Sequence, residues 1–302
     1  MPHVTEANLT DIALERWKNI PDPRLRQIMT SLIKHLHGFV REVELTEAEW
    51  ATAIDWLTRT GKMCTEKRQE FILASDVLGV SMLVDAINHR QPAGATETTV
   101  LGPFYVENPK TFPNGADIMA AEVAGERLYV QAQIVAAGAG PLAGAVVDVW
   151  QSDSEGFYDT QRPELDASSL RGRFVSDGAG LVRFWSITPC AYPIPYDGPV
   201  GDMLKATRRH PFRPAHLHFM ISAPGFETLV THIFVDGDSY LDSDAVFGVK
   251  QSLIDPFPSQ PPGMAPDGRV MNEPWRRLDY RFGLKPLANT AAGSVRPNCT
   301  IG

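Results

Sequence analysis

The chain has 302 residues, of which 43% are hydrophobic and 21% are charged, with a formal net charge of −8. This is the composition of an ordinary globular protein, and the acidic balance argues against a nucleic-acid-binding protein, which carries a basic patch. The apolar runs are too short to span a bilayer, and the N-terminal segment lacks the features of a signal peptide, so we expect neither. The three cysteines, Cys64, Cys190 and Cys299, are too widely spaced for a disulfide framework or a zinc knuckle, which favours a reducing cytoplasm.

The first third of the chain is expected to be helical. Apolar residues recur every three or four positions across residues 25–43, which predicts a helix with one buried face. A second helix is predicted at residues 46–61, because the capping-box pattern TEAE precedes it and a glycine ends it. A third helix is predicted over residues 65–87. The following segment, 88–117, is rich in Gly, Pro and Thr and is expected to connect two domains.

After this connection the chain changes to short β-rich segments separated by turn residues. They read RLYVQAQIVA, AVVDVWQS, GRFVSD, LVRFWSIT, AHLHFMIS and TLVTHIFV. Short strands at this spacing are typical of an antiparallel sandwich or barrel. We therefore predict a mixed α and β protein, with a helical N-terminal domain and linker at residues 1–105 and an antiparallel β-sandwich domain at residues 106–302.

The segment RPAHLHFMI places two histidines one residue apart in an apolar, strand-like run. Side chains alternate across a strand, so His216 and His218 would project from the same face, which is a common beginning for a metal site. Two buried neutral histidines held by hydrogen bonds are the alternative. His35 and His37 have the same spacing but lie in a predicted helix, where residues two apart do not face each other. We interpret that second pair as structural or surface histidines.

A metal ion would need further ligands. Asp236 and Asp238, in the FVDGD turn, are candidate carboxylates. Tyr158 and Tyr192 each follow a predicted strand, and the prolines around Tyr192 restrict its loop. Taken alone, each tyrosine is better explained as an ordinary amphipathic loop residue.

Four motifs in chain order, GFYD, PxxY, RPAHLHF and THIFVDGD, closely resemble those of the intradiol ring-cleavage dioxygenases, non-haem ferric enzymes of aromatic breakdown. The resemblance covers nearly the whole chain, including the helical N-terminal region, which looks like the family's dimerisation domain. It implies one Fe(III) per subunit and no organic cofactor. The ligands that it implies are Tyr158, Tyr192, His216 and His218. Tyr196 is a nearby alternative to Tyr192, but it lies too close to the RPAHLH motif for the family's spacing.

The resemblance also implies roles for side chains near the metal. A substrate bound through two adjacent oxygens would displace Tyr192, which then helps to take up substrate protons. Arg213 would lie over the substrate and stabilise developing negative charge. His232 is expected just outside the ligands, as a hydrogen-bonding residue and not as a fifth ligand.

Three stretches, residues 71–85, 99–109 and 192–204, look most like the hydroxyquinol branch of this family. The pocket positions that this likeness implies are Leu73, Asp76, Val100, Leu101, Gly102, Pro103, Phe104, Ile194, Pro195 and Arg213. Asp76 is the discriminating position, because a carboxylate can accept a hydrogen bond from the third hydroxyl of hydroxyquinol and would be left unpaired by catechol. The alternative is that Asp76 only caps or solvates its helix. The family pattern has a smaller polar residue at the position of Tyr196. The sequence therefore does not define the rim of the pocket or its fine specificity.

The leading hypothesis is intradiol cleavage of hydroxyquinol (benzene-1,2,4-triol) by O2, giving 3-hydroxy-cis,cis-muconate, which tautomerises to maleylacetate. The same chemistry on catechol or a substituted catechol is the nearest alternative. A zinc enzyme using the H-x-H pair and a non-enzymatic β-sandwich binding module are alternatives of other classes. The resemblance further implies a homodimer formed through the N-terminal helices, and it makes a phospholipid at that interface a hypothesis.

Overall fold

The computed structural model describes residues 3–66, 68–119, 123–162 and 168–287. Its described residues fall into two compact units, 3–59 and 60–287. The domain boundary expected near residue 105 stays a prediction. Among the helices of the described part, none is both long enough and apolar enough to cross a membrane.

The described chain begins with α-helices and continues mainly as strands, with one later α-helix and three short 3-10 helices. The helices are α1 (Leu9–Trp17), α2 (Pro23–Glu42), α3 (Glu47–Met63), α4 (Glu70–Val77), α5 (Val80–Asn88) and α6 (Pro199–Ala206). The strands are β1 (Ala116–Asp117), β2 (Arg127–Ala136), β3 (Val146–Gln151), β4 (Arg171–Val175), β5 (Leu181–Ile187), β6 (Tyr192–Pro193), β7 (Phe212–Arg213), β8 (His216–Ser222), β9 (Leu229–Val235), β10 (Ile254–Asp255), β11 (Ser259–Gln260), β12 (Gly263–Met264), β13 (Val270–Met271) and β14 (Trp275–Leu284).

The first two predicted helices are confirmed as α2 and α3. Asp22 caps α2, because its carboxylate accepts hydrogen bonds from two backbone N–H groups of the first turn. Thr46 and Glu49 form the expected capping box before α3, with Thr46 N 2.9 Å from Glu49 Oε2. The apolar face of α2 differs from the prediction, since Ile33 is the buried residue of this helix whereas Phe39 is 53% exposed in the single chain.

The third predicted helix is wrong as a single element, because it is divided into α4 and α5. The break falls at Gly79, whose φ of 74° lies in the left-handed region that glycine adopts without steric strain. The apolar spacing continues through this point and therefore conceals the break.

The larger unit is built around two five-stranded sheets, in the orders β1-β5-β2-β14-β11 and β10-β9-β8-β3-β4. Neighbours at the centre of the second sheet are antiparallel, whereas β14 runs parallel to β2, β1 to β5 and β10 to β9. A single hydrophobic core includes side chains of both sheets, and the rings of Phe219 and Phe282 meet across it at 4.6 Å. The predicted mixed class, with a sandwich after a helical region, is confirmed.

The core fixes which face of β8 carries the histidines. Leu217, Phe219 and Ile221 point into the core. Because side chains alternate along a strand, His216 and His218 lie on the outer face of this sheet. The register of the sheet sets Trp150 of β3 and His232 of β9 on either side of His218.

Candidate metal centre

Three histidine rings lie together on the outer face of the second sheet. His216, His218 and His232 are buried, and their ligand nitrogens all lie within 4.8 Å of one another. The ring of His218 is also stacked on the indole of Trp150, at 4.6 Å and 17°. Strand pairing and stacking therefore restrict both the position and the tilt of the His218 imidazole.

The backbone determines the tautomer of His216. Its Nδ1 lies 2.6 Å from the carbonyl oxygen of Pro214, which can only accept a hydrogen bond. Nδ1 therefore carries the proton, and Nε2 presents a lone pair to the cluster. The Nε2 atoms of His216 and His218 are 3.1 Å apart. A histidine that donates from one nitrogen to a carbonyl and faces a shared point with the other has the arrangement of a metal ligand.

The loop after β3 brings Tyr158 to the same point. Asp153 organises this loop, because its carboxylate accepts hydrogen bonds from the N–H groups of Glu155 and Phe157 at 2.8 and 3.0 Å. Tyr158 is fully buried, with its hydroxyl oxygen 2.8 Å from Nε2 of His218. Phe104 is stacked on the phenol ring, at 4.2 Å and 17°.

Tyr192 completes the group from a second loop. It lies on the two-residue strand β6, where it pairs with Arg213. Its hydroxyl oxygen is 3.2 Å from that of Tyr158. The close approach of the two loops requires Gly156, since a Cβ there would lie 2.9 Å from Cβ of Tyr192. Tyr196, the alternative to Tyr192, is 47% exposed.

Burial keeps the three imidazoles neutral. It lowers the pKa of His216 to about 3, with the positive charge of Arg213 adding to the effect. Burial also lowers the pKa of His218 and of His232 well below the ordinary value, and neighbouring histidines lower both further. All three therefore offer lone pairs and not positive charges at neutral pH.

Burial has the opposite effect on Tyr158. It raises the pKa of this phenol well above its usual value, and the neighbouring Tyr192 raises it further. The phenol therefore stays protonated unless a strong positive charge lies beside its oxygen. A bound metal ion is such a charge.

The donor atoms fit a metal ion in both spacing and chemistry. Neighbouring ligand atoms with metal bonds of about 2.1 Å lie about 3 Å apart when the bonds are roughly perpendicular. The three donor contacts in this group are 2.8, 3.1 and 3.2 Å. Two ionised phenols with two imidazoles form a hard, anionic donor set that suits a highly charged cation.

Arg213 lies beside the histidines in a buried ion pair. Its Nη1 is 3.4 Å from Nε2 of His216, and its Nη2 is 3.4 Å from Nδ1 of His232. The Asp244 carboxylate is the counter-charge, and both side chains of the pair are almost fully buried. Burial raises the pKa of Asp244, but the charge and hydrogen bonds of Arg213 more than offset this, so the net pKa is lowered.

Several predicted pocket residues border this group. A Cβ on Gly102 would lie 3.3 Å from the His218 ring, and Phe104 contacts both tyrosine rings. Val100 lies close enough to His232 for its backbone to act on the pKa of this imidazole, although burial dominates and lowers that pKa. Burial raises the pKa of the Asp76 carboxyl. The positive charge of Arg213 is close enough to lower this pKa, but by less than burial raises it.

The other predicted pocket residues occupy the same segments. Leu73 lies on α4, three residues before Asp76. Ile194 and Pro195 follow β6, and Ile194 is buried. Leu101 and Pro103 flank Gly102, and both are exposed.

The other sequence candidates are not members of this cluster among the described residues. Among the described residues, the clustered ligands include no carboxylate, and Asp238 instead accepts a hydrogen bond from the backbone N–H of Ala215 at 3.1 Å. His35 and His37 lie on α2, where their Nδ1 atoms contact Ser31 and Thr10 respectively. The interpretation of that pair as structural or surface histidines is consistent with these contacts.

Three contributing residues were missed by sequence reasoning: Trp150, Arg171 and Asp244. Trp150 lies within a predicted strand, but its place beside His218 depends on the register between strands. Arg171 and Asp244 act through ion pairs with residues 12 and 31 positions away. Such pairings leave no local signal in a single sequence.

The chain matches known proteins over most of its length. Residues 22–96 match the family model described as catechol dioxygenase N terminus, and residues 100–282 match the model described as dioxygenase. The chain is 51% identical over 286 residues to the 6-chlorohydroxyquinol 1,2-dioxygenase of Cupriavidus pinatubonensis, covering 95% of this chain and 99% of that one. The chain belongs to the intradiol ring-cleavage dioxygenases.

Two further relatives of this dioxygenase carry the hydroxyquinol name. The hydroxyquinol 1,2-dioxygenase of Nocardioides simplex is 49% identical over 282 residues, covering 93% of this chain and 96% of the relative. The crystal structure of hydroxyquinol 1,2-dioxygenase from Pseudomonas putida DLL-E4 superposes with a TM-score of 0.88 at 48% identity, covering 93% of this chain and 99% of that one. Within the intradiol dioxygenases, this chain is most similar to hydroxyquinol enzymes. The two family models meet between residues 96 and 100.

Proposed function

We propose that this dioxygenase opens the ring of hydroxyquinol between its two adjacent hydroxylated carbons, using O2 and one ferric ion per subunit. The product would be 3-hydroxy-cis,cis-muconate, the tautomer of maleylacetate. The proposed ligands are Tyr158, Tyr192, His216 and His218. The observation that carries the proposal is the convergence of two phenol oxygens and two imidazole nitrogens at contacts of 2.8 to 3.2 Å.

The neighbouring side chains have separate tasks in this proposal. Bound ferric iron supplies Lewis-acid activation of the dihydroxylated ring toward O2, which no side chain of the group provides. Tyr192 lies on the two-residue strand β6, and as a phenolate it would take up a substrate proton when the substrate replaces it as a ligand. Arg213, buried and charged, stabilises negative charge that develops on the substrate. His232 helps to hold Arg213 and is not proposed as a ligand.

Asp76 is proposed to select hydroxyquinol over catechol. It is a partly buried carboxyl on α4, within the electrostatic reach of Arg213. A third substrate hydroxyl that donates to this carboxylate would compensate for its burial, whereas catechol would leave it unpaired. The names of the two hydroxyquinol relatives support the same choice.

A homodimer is proposed to form through the N-terminal helices. Four apolar side chains of α2, Ile28, Leu32, Leu36 and Phe39, are 41 to 53% exposed in the single chain. Their spacing is nevertheless that of a buried helix face. A second copy of the chain would cover this face, and a phospholipid at the same interface is part of the proposal. We also propose a cytoplasmic location, in keeping with the cysteine spacing.

Oxygen uptake tests the activity directly. Purified iron-loaded protein is given hydroxyquinol and catechol in parallel, with enzyme-free controls because hydroxyquinol oxidises in air. We expect rapid uptake with hydroxyquinol, slower uptake with catechol, and loss of both in Tyr158→Phe. Tyr196→Phe is the matched control, because it removes a phenol hydroxyl from an exposed position. Full activity in Tyr158→Phe, or activity supported by zinc in place of iron, would contradict the proposal.

A further inference from the structure

Arg171 is a buried arginine that touches the supports of Tyr158. It begins β4, where it pairs with Trp150, and it is 3% exposed. Trp150 in turn pairs with His218 on β8. Arg171, Trp150 and His218 therefore form one row across the outer face of the sheet. Arg171 therefore lies on the same face as the candidate ligands without being one of them.

The guanidinium makes two contacts in different directions. Its Nε lies 2.9 and 2.8 Å from the two carboxylate oxygens of Asp159, the residue that follows Tyr158. Its Nη1 donates to the backbone carbonyl of Phe104 at 2.9 Å. Both side chains of this ion pair are buried, with 4% of Arg171 and 7% of Asp159 exposed. A planar fork with several fixed donors can meet a carboxylate and a carbonyl in fixed directions, whereas an ammonium group is a compact point charge without that fixed geometry.

Each contact restrains a different side of Tyr158. Asp159 fixes the backbone directly after the tyrosine, and Gln161 accepts the tyrosine's own N–H at 2.9 Å. Phe104 is stacked on the phenol ring at 4.2 Å. Arg171 thus couples the chain that carries the phenol to the ring that covers it.

We propose that Arg171 is a positioning residue that holds the Tyr158 phenol in its place through Asp159 and Phe104. Tyr192 is held differently, by the backbone pairing of a two-residue strand. This inference rests on the proposed function, because it concerns a tyrosine that is assigned there as an iron ligand.

The test compares Arg171→Gln, Arg171→Lys and Arg173→Gln with the wild-type protein, each loaded with ferric iron. Arg173 is the matched control, since it lies two residues along β4 and also pairs with a buried carboxylate, Asp148. Two quantities are measured: the energy of the visible tyrosinate-to-iron absorption band, and the rate at which a chelator removes iron. Band energy does not depend on how much protein is folded, so a general loss of stability leaves it unchanged.

We expect Arg171→Gln to shift the band and to release iron at least about tenfold faster, as altered supports of metal ligands do. Arg171→Lys should show the same change, because it restores the charge without the fork. Arg173→Gln should match the wild type in both. Unchanged band and release rate in Arg171→Gln, or full restoration by Arg171→Lys, would overturn the proposal.

Two further results keep the inference distinct from the proposed function. If Arg171→Gln does not fold, Asp159→Asn takes its place, with a shift in the same direction expected and a wild-type band counting against the inference. A wild-type protein that binds ferric iron without a tyrosinate band would overturn the proposed function and this inference with it. A coloured wild-type protein with insensitive variants would overturn only the role of Arg171.

Discussion

The guanidinium of Arg213 is paired with the carboxylate of Asp244 inside the protein, with 3.2 Å between Nε and Oδ1. The backbone holds this pair in place, because Asp244 also accepts hydrogen bonds from the N–H groups of Val246 and Gly248 at 3.3 and 2.9 Å. A charged group that is already fixed in a water-poor site needs no rearrangement when negative charge develops on a substrate. The turn at residues 244–248 is therefore part of the site, although it contributes no ligand.

Asp244→Asn tests the electrostatic side of this relationship. The substitution leaves the buried positive charge of Arg213 without its counter-charge, so we expect the free energy of unfolding to fall by about 3–5 kcal/mol. Urea unfolding of the wild type and the variant measures this difference. Asp242→Asn, two residues away and exposed, is the control and should stay within about 0.5 kcal/mol of wild type. Equal stability of the two variants would contradict the importance of the pair.

Gly248→Ala tests the geometric side. A Cβ at this position would lie 2.8 Å from Nη2 of Arg213, so the guanidinium must shift. We expect kcat for hydroxyquinol to fall about 10- to 100-fold, because small displacements of a positioned group reduce the rate strongly. Gly140→Ala, where the Cβ would meet no atom within 4 Å, should keep the wild-type kcat. A fully active Gly248→Ala would show that the place of Arg213 does not limit the reaction.

Asp76→Val tests the proposed selector. The change removes a partly buried carboxyl whose pKa burial raises, so we expect the melting temperature at neutral pH to stay or rise. The ratio of kcat/KM for hydroxyquinol to that for catechol should fall about 10- to 100-fold, because the third hydroxyl loses its acceptor. Parallel steady-state kinetics on the two substrates measure this ratio. An unchanged ratio would show that Asp76 does not select the substrate and only caps or solvates its helix.

The buried histidines should make the metal-free protein sensitive to acid. Each has a pKa that burial lowers from the ordinary 6.5, to about 3 in His216, so below pH 6.5 the unfolded chain binds protons that the folded chain does not. Stability is therefore full above pH 6.5 and falls as the pH decreases below it, by about 1.4 kcal/mol per pH unit for each histidine that stays neutral in the fold.

Urea unfolding of metal-free protein between pH 7 and pH 4 measures this slope. His232→Gln removes one of the three titrating groups and should make the slope shallower by about one proton. An identical slope in His232→Gln would show that this histidine is already protonated in the fold.

Much of the fold was accessible from local patterns. The predicted segment RLYVQAQIVA coincides with β2, and AHLHFMIS contains β8, because alternation against a single core is a local property. Strand β14 was not predicted, since its charged residues and Gly283 interrupt the apolar alternation that Leu278, Phe282 and Leu284 continue. Its long pairing with β2 connects residues far apart in the sequence, which no local pattern records.

The site divides in the same way. The two tyrosines and two histidines are short motifs, so their resemblance to the family could be read from the chain, and the structure brings their donor atoms together. The supports of these side chains depend on register and on distant pairs. Trp150 stacks on His218 only because β3 lies beside β8 in one register. Asp244 meets Arg213 only through the folded turn.

Isotope labelling tests the central claim most directly. Iron-loaded wild-type protein is given hydroxyquinol under 18O-labelled O2, and the ring-opened product is trapped at once and analysed by mass spectrometry. We expect 3-hydroxymuconate, formed by cleavage of the ring bond between the two adjacent hydroxylated carbons. Each new carboxylate should carry one labelled oxygen. A product opened beside the diol, or one without labelled oxygen, would contradict intradiol cleavage by this protein.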